Sequence, residues 1–322
     1  MEKEIKDFPR QFNFEPRIKN ENKLGQNFKG VVVCGMGGSA LAANLLSISP
    51  SYSNIKIHRS YGLPEGINTE ETLFIFSSYS GNTEEVIDGL KTAIRKRLNL
   101  AVISTGGELL KIAEKKSLPY VKLLNTKIEP RLAVGFSFLA VLSIVNGREV
   151  EKLASLAKTL NVSKTRVKGK ALAEFLWDKI PVVYSSTINY PLAYNWKIVF
   201  NESAKVPAFT NIFPELNHNE MTSYDWIETT KSLGEKICFV FLEDRRDLPK
   251  IKKRMKVCKK LLENRDFKVF SENLSSEKSD SFWHPIFDSW LVANWTAFYL
   301  SEYYGTEPDN VPMIENFKKL IK

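Results

Sequence analysis

In the stretch Phe74-Ile75-Phe76-Ser77-Ser78-Tyr79-Ser80-Gly81-Asn82-Thr83-Glu84-Glu85 an apolar run (Leu73 to Phe76) stops, a loop of hydroxyls with one Gly follows, and a helix begins. Asn82 and Glu85 have capping-box spacing, and Val86, Ile87, Leu90, Ala93 and Ile94 recur at helical period, so a helix is expected over 83–97. A buried strand that delivers Ser and Thr onto a helix N-terminus suits an anion. The first-turn N–H groups lack partners, the helix dipole places about half a positive charge there, and hydroxyls add neutral donors. An ordinary βα turn whose hydroxyls only cap the helix would read the same way, so this loop alone leaves both readings open.

A second loop of the same kind lies upstream. Val31-Val32-Val33-Cys34-Gly35-Met36-Gly37-Gly38-Ser39 is again an apolar strand, glycine turns, and a Ser at the start of a helix (Ala40 to Leu46). No Gly-Lys-Ser/Thr follows, which excludes a Walker A loop. A dinucleotide site would place an acid at the end of the next strand, but Ile55-Lys56-Ile57-His58-Arg59 ends in cations. Together, GMGGS and SSYSGNTEE resemble the two phosphate-side loops of sugar isomerase (SIS) domains, which bind phosphorylated sugars rather than dinucleotides. The pair is far more specific than either loop.

Around these loops the chain reads as α/β. From Gly30 to about Asn125 strands are expected at 31–34, 55–58, 73–77, 100–104 and 120–124, with helices at 39–48, 83–97 and 108–116. Alternating units with near-continuously apolar strands imply a doubly wound parallel sheet, with ligands at the carboxyl ends of the strands. Residues 1–28 look like an arm carrying Phe8, Phe12, Phe14 and Phe28. Glu129-Pro130-Arg131 opens an apolar helix to about Val145, with Arg131 a lone cation at its entrance. A charged helical stretch from Arg148 to Lys179, interrupted at Gly169, reads as a connection. The domain expectation is therefore an arm (1–28), a first domain (29–147) and a second (148–322).

The second half repeats the α/β logic. Ile180 to Thr187 is a strand feeding a hydroxyl loop, a helix follows from about Pro191, and strands are expected at 236–242 and 267–270. Phe282 to Tyr304 is a long aromatic helix, fit for a core or a subunit interface. Two polar clusters stand out, Asn201-Glu202-Ser203-Ala204-Lys205 and Glu215-Leu216-Asn217-His218-Asn219-Glu220. Taken alone, Glu202 could be a solvated carboxylate and His218 a plain loop residue.

Composition bounds the alternatives. With 322 residues, 43% hydrophobic and 26% charged, the chain can bury a sizeable core in two domains. No apolar run is long enough to span a bilayer, and Met1-Glu2-Lys3-Glu4-Ile5-Lys6-Asp7 is not a signal peptide. The three Cys and three His are too dispersed for disulfides or a metal site, so a reduced, cytoplasmic protein without a cofactor or metal is expected. The net charge of +9 raises nucleic acid as a partner. However, Lys and Arg are spread along helices, and the densest run, Lys250 to Lys260, carries Ile251, Met255 and Val257 at helical spacing as an amphipathic face would. No nucleic-acid or membrane partner is expected.

The resemblance extends beyond two loops. GMGGS, SYSGNTEE, EPR, NESAK, ELNHNE and PMIENFKK occur in the order seen in bifunctional phosphoglucose/phosphomannose isomerases, which are built from two SIS domains. The resemblance implies aldose–ketose isomerisation of glucose 6-phosphate and mannose 6-phosphate with fructose 6-phosphate through a cis-enediolate, without a metal. It implies that Gly38, Ser39, Ser78, Ser80 and Thr83 hold the phosphate and that Arg131 stabilises the enediolate. It further implies that Glu202 moves the proton between C1 and C2, and that His218 and Lys318 open the ring. A homodimer is implied as well, in which His218 reaches the neighbouring subunit's site. One position departs from the pattern: Val311 stands where a small polar residue is expected beside the C-terminal Lys, which bears on room for the mannose epimer. Two other functions fit the loops. Another SIS sugar-phosphate isomerase would keep the phosphate loops without the Glu202, His218 and Lys318 set. A non-catalytic sugar-phosphate sensor would usually carry a DNA-binding module, and about 28 residues before the first strand, with no helix-turn-helix pattern, do not supply one.

Overall fold

The apolar runs at 31–34, 73–77 and 100–104 become strands buried on both faces, as near-continuous hydrophobic strands require, while the strands at 55–58 and 120–122 keep exposed lysines. The computed structural model describes residues 1–25, 28–225, 227–274 and 281–321. Two compact units divide the chain, Lys6–Leu160 and Met1–Ile5 with Asn161–Lys322. The change of unit thus follows Leu160, against the expected 147/148, and the first five residues go with the second unit.

In the first unit the strands are β1 (Ile18–Lys19), β2 (Gly30–Cys34), β3 (Ile55–His58), β4 (Thr72–Ser77), β5 (Leu100–Ser104) and β6 (Tyr120–Lys122), in the order β1-β6-β5-β4-β2-β3. All neighbours run parallel except β1, a two-residue edge strand antiparallel to β6 that the arm supplies. That edge is the one departure from the expected parallel sheet. Val32, Phe74, Phe76 and Val102 pack with Val86, Leu90 and Leu109 from the helices Glu84–Arg95 and Gly107–Lys115. The helix Val134–Asn146 is apolar around its whole circumference, and ten of its residues, Phe136, Phe138 and Leu139 among them, are buried.

In the second unit, β7 (Ile180–Ser186), β8 (Phe209–Phe213), β9 (Ile237–Glu243) and β10 (Val269–Asn273) form an all-parallel sheet in the order β10-β9-β7-β8. β8 was absent from the sequence reading because its burial is partial and its Asn211 breaks the apolar run. Tyr184, Phe213, Phe239 and Phe267 form an edge-to-face aromatic core, with Tyr184 and Phe213 centroids 5.9 Å apart at 85°. The helix His284–Tyr304 lies in the core of this unit, with Phe287, Trp290, Leu291 and Trp295 each at most 1% exposed. Its aromatic face is consumed internally, so the interface role open to it on sequence does not hold for these residues. Gly169 does not interrupt a helix. It lies inside Val162–Leu176, where a Cβ would come 2.4 Å from Trp295 Cβ, so glycine is what lets the two helices close.

Candidate active site

The chain runs from β2 to β3 on one side and then returns to place β4 on the other. β2 and β4 therefore flank a topological switch point, the place where ligands bind in open parallel sheets, outside the strands' carboxyl ends. Both hydroxyl loops emerge there. Gly37, with φ +47°, turns the chain out of β2, and the helix Gly38–Leu46 begins at once. A Cβ on Gly38 would lie 2.6 Å from the Arg131 backbone nitrogen and 2.8 Å from the Pro130 carbonyl carbon. Glycine is needed at this position because the segment carrying Arg131 packs directly on it.

The two loops are tied to each other. Ser39, 8% exposed, accepts a hydrogen bond on Oγ from the Tyr79 N–H at 2.9 Å, and Ser77 donates its hydroxyl to the Ser39 carbonyl at 3.4 Å. Ser78, 1% exposed, shares a hydrogen bond with Thr83 Oγ1 at 2.8 Å, and its Oγ accepts from Gly81 N–H at 3.1 Å. Gly81 has φ +72°, and a Cβ there would sit 1.9 Å from the Gly106 carbonyl oxygen. Ser80 is exposed, its Oγ accepting from Asn82 N–H at 3.3 Å. The structure thus joins the loop of Gly38 and Ser39 to the loop of Ser78 and Thr83 through the Tyr79–Ser39 bond, with Ser80 exposed on the second loop.

The cap differs from the sequence reading. The helix is Glu84–Arg95 with Thr83 as its N-cap, and no side chain caps it. Asn82 instead accepts from the Glu108 N–H at 3.1 Å, near the start of the helix Gly107–Lys115. The capping-box spacing failed because Asn82 found a better donor 26 residues away.

Arg131 lies on a 3₁₀ turn, Pro130–Leu132, before the helix Val134–Asn146. Its side chain is 1% exposed, and Nη1 donates to Glu129 Oε2 at 3.3 Å. Sequence reasoning missed Gln11, which holds this segment from the arm. Its Nε2 donates to the Leu132 carbonyl at 2.7 Å, and its Oε1 accepts from Gly135 N–H at 2.9 Å and Phe136 N–H at 3.3 Å. The sequence offered little signal for it, since Gln11 is one of many polar residues on an arm with only interspersed aromatics.

The remaining candidates belong to the second unit. Glu202 lies in a π-turn, Phe200–Ala204, that closes the helix Tyr190–Val199. Such bulges often accompany functional side chains. The turn ends at Lys205, φ +58°, whose Nζ donates to the Glu202 carbonyl at 2.5 Å. His218 is exposed at the end of the 3₁₀ turn Glu215–His218, which follows the cis peptide Phe213-Pro214. Lys318 is exposed on the helix Pro312–Leu320, 3.9 Å from Glu315 Oε1. Three separate elements of this unit carry them.

Just beyond His218, Glu220 Oε1 accepts from the Tyr184 hydroxyl at 2.5 Å and the Tyr224 hydroxyl at 3.2 Å, while Oε2 accepts from Asn211 Nδ2. Burial, with the Glu220 charge beside it, pushes the Tyr184 hydroxyl far above its ordinary pKa, and burial pushes Tyr224 up to about 12. Both phenols are therefore donors at neutral pH. Among the described residues no group of three or more His, Cys, Asp or Glu side chains could hold a metal ion, and no helix is long and apolar enough to cross a membrane.

Comparison with known proteins agrees with this architecture. Residues 166–321 match the family model of the bacterial phospho-glucose isomerase C-terminal SIS domain. A bifunctional phosphoglucose/phosphomannose isomerase of Thermoplasma acidophilum is 30% identical over 299 residues, 91% of this chain and 90% of that protein. A D-glucosamine-6-phosphate 4-epimerase of Sulfolobus acidocaldarius is 31% identical over 218 residues, 66% of this chain and 69% of that one. The crystal structure of tagatose-6-phosphate ketose/aldose isomerase from Escherichia coli superposes with a TM-score of 0.70 at 14% identity, covering 96% of this chain and 94% of that one, a likeness of fold.

Proposed function

The chain belongs to the bifunctional phosphoglucose/phosphomannose isomerase family, and from that premise we propose that it interconverts glucose 6-phosphate and mannose 6-phosphate with fructose 6-phosphate through a cis-enediolate. It is a sugar-phosphate isomerase with both activities; the mechanism, the metal independence and the residue roles are the proposal. The observation that carries it is the pair of hydroxyl loops at one switch point, joined by the Tyr79–Ser39 hydrogen bond with the Arg131 backbone packed on Gly38.

The substrate phosphate is held by backbone N–H groups around Gly38 and by Ser39, Ser78, Ser80 and Thr83, at the N-termini of two helices. Being remote from C1 and C2, it supplies binding energy for orientation. His218 and Lys318 open the ring. Between them they take the O1 proton and deliver one to O5 as the C1–O5 bond breaks and the C1 carbonyl forms. Glu202 removes the C2 proton, the electron pair moves into a C1–C2 double bond, and Arg131 offsets the charge on the enediolate oxygens. The O2 hydroxyl proton passes to O1, and return of the proton to C1 as the C2 carbonyl forms gives the ketose. Glucose and mannose epimers converge on one enediolate because it has no stereocentre at C2. The chain acts as a homodimer in which His218 serves the partner's site, without nucleic acid or membrane, in the cytoplasm.

A coupled assay of the purified protein with each hexose 6-phosphate, with and without EDTA, tests this. Turnover of both sugars, unchanged by EDTA, is expected. Activity lost to EDTA and restored by a divalent ion would overturn the metal-free mechanism. Turnover of D-glucosamine 6-phosphate alone would favour the epimerase reading that the 31% identical relative supports. Binding without turnover would favour a sensor.

A further inference from the structure

We propose that Glu220 is the positioning residue for His218: its carboxylate clamps the turn carrying the imidazole onto the edge of the second sheet. The inference rests on the ring-opening role given to His218 above.

The turns Glu215–His218 and Glu220–Tyr224 follow β8; only Leu216 among them is fully buried, with Met221 and the Tyr224 ring packed at the margin of the core. Apolar contacts at these three side chains leave the rest of the segment, His218 included, to be held by polar bonds. Glu220 supplies them in three directions. Tyr184 lies on β7, Asn211 on the edge strand β8 and Tyr224 at the far end of the same segment, and all three donate to its two oxygens. The donors on β7 and β8 are paired in register with each other, Tyr184 opposite Asn211, so the carboxylate meets two fixed points on adjacent strands.

The link back to His218 is one residue long. Asn219 Oδ1 accepts from the Glu220 N–H at 2.5 Å, and its Nδ2 donates to Glu215 Oε1 at 2.7 Å, closing the turn that carries His218. Every donor on the carboxylate is neutral, so a glutamine cannot replace it silently. A glutamine keeps one accepting oxygen: with its amide nitrogen toward Asn211 Nδ2 two donors would face each other, and with it toward Tyr184 and Tyr224 both phenols would have to turn from donor to acceptor. An ordinary surface glutamate needs no such surroundings.

The test combines amide hydrogen exchange with kinetics on Glu220→Gln and His218→Ala. In Glu220→Gln, exchange across 215–224 should quicken by about tenfold or more with the rest of the chain unchanged. Turnover of cyclic substrate should fall on the order of 10²-fold, the scale of a misplaced catalytic group. Deuterium exchange into open-chain sugar phosphate should stay within a few-fold. The Glu220→Gln/His218→Ala double variant should be no slower than His218→Ala, because both changes remove one function. Tyr184→Phe, which deletes one donor and keeps the ring, should move every readout the same way by less, and serves if Glu220→Gln does not fold. Unchanged loop exchange, or fully additive losses in the double variant, would overturn the proposal. If His218→Ala leaves ring opening intact, the role of His218 falls and that of Glu220 with it. If His218→Ala is slow but Glu220→Gln is not, this inference alone falls.

Discussion

At the carboxyl ends of β2 and β4 the first unit presents hydroxyls and backbone N–H groups, whereas at the carboxyl ends of β7 and β9 the second presents buried carboxylates. Both places are switch points, since in each sheet the first parallel strand has its successor on one side and a later strand on the other. Both follow a strand that ends in serines. In the second, Ser186, Asn189, Asp244 and Asp247 are all at most 3% exposed. Asn189 Nδ2 donates to Asp244 Oδ2 at 3.1 Å and Ser186 Oγ at 3.2 Å. Arg246 folds back with Nη2 donating to Asp244 Oδ2 at 2.6 Å, its guanidinium 4.1 Å over the Phe282 ring. A phosphate dianion entering there would meet two carboxylates and one arginine already neutralised. Topology decides where a crevice opens, and side-chain charge decides what it takes.

The largest test of this contrast concerns what the second unit does supply. Glu202→Gln keeps the side chain's size and removes its basic oxygen, so kcat should fall by at least about 10²–10⁴ with KM little changed. Near-normal deuterium exchange in that variant would show that the base lies elsewhere. Thr83→Ala removes the partner of Ser78 and one donor to the phosphate. A lost charge-assisted bond of about 1.5–3 kcal/mol should raise KM roughly 10–100-fold. An unmoved KM would place the phosphate outside the first crevice. Asn189→Ala, in the other crevice, should leave KM within about twofold while lowering stability by about 1–3 kcal/mol through the donors lost to buried carboxylates. A KM raised as strongly as in Thr83→Ala would erase the contrast.

The smallest effect is a pH slope. Burial chiefly, with Asp244 adding to it, holds Asp247 above its ordinary carboxylate range in the folded state. Its favourable contribution is therefore full below the unfolded value and is lost as pH rises through the folded one. Asp247→Asn never carries that charge. The stability of the variant relative to the parent, from urea midpoints, should drift in the variant's favour as pH climbs from about 4 toward 7. A flat difference would mean that the second crevice tolerates negative charge after all.

Much of the first crevice was legible because its cues are local. Strands at 55–58, 73–77 and 100–104 fall within one residue of the observed ones, since short apolar runs bounded by turn residues, and the alternation of Ile55 and Ile57, leave few other options. Gly37 and Gly81 marked turns that only a positive φ allows. The same logic failed wherever a residue's partner lay far along the chain. Asn82 read as a cap for its own helix and serves near the start of the next one instead. Gly169 read as a break and is a contact with Trp295.

By itself, then, the sequence determined the alternation of elements, the two hydroxyl loops, their place at strand ends and the family those motifs belong to, because each is written within a dozen consecutive residues. Only the tertiary structure decided that the Arg131 backbone lies against Gly38, that Gln11 satisfies the amides beside it, that the helix His284–Tyr304 spends its aromatic face on its own unit, and that Glu220 is held from two strands at once. Those facts rest on close approaches between segments remote in sequence. Burial and hydrogen-bond satisfaction select such approaches for the whole fold together, so no short window of residues encodes them.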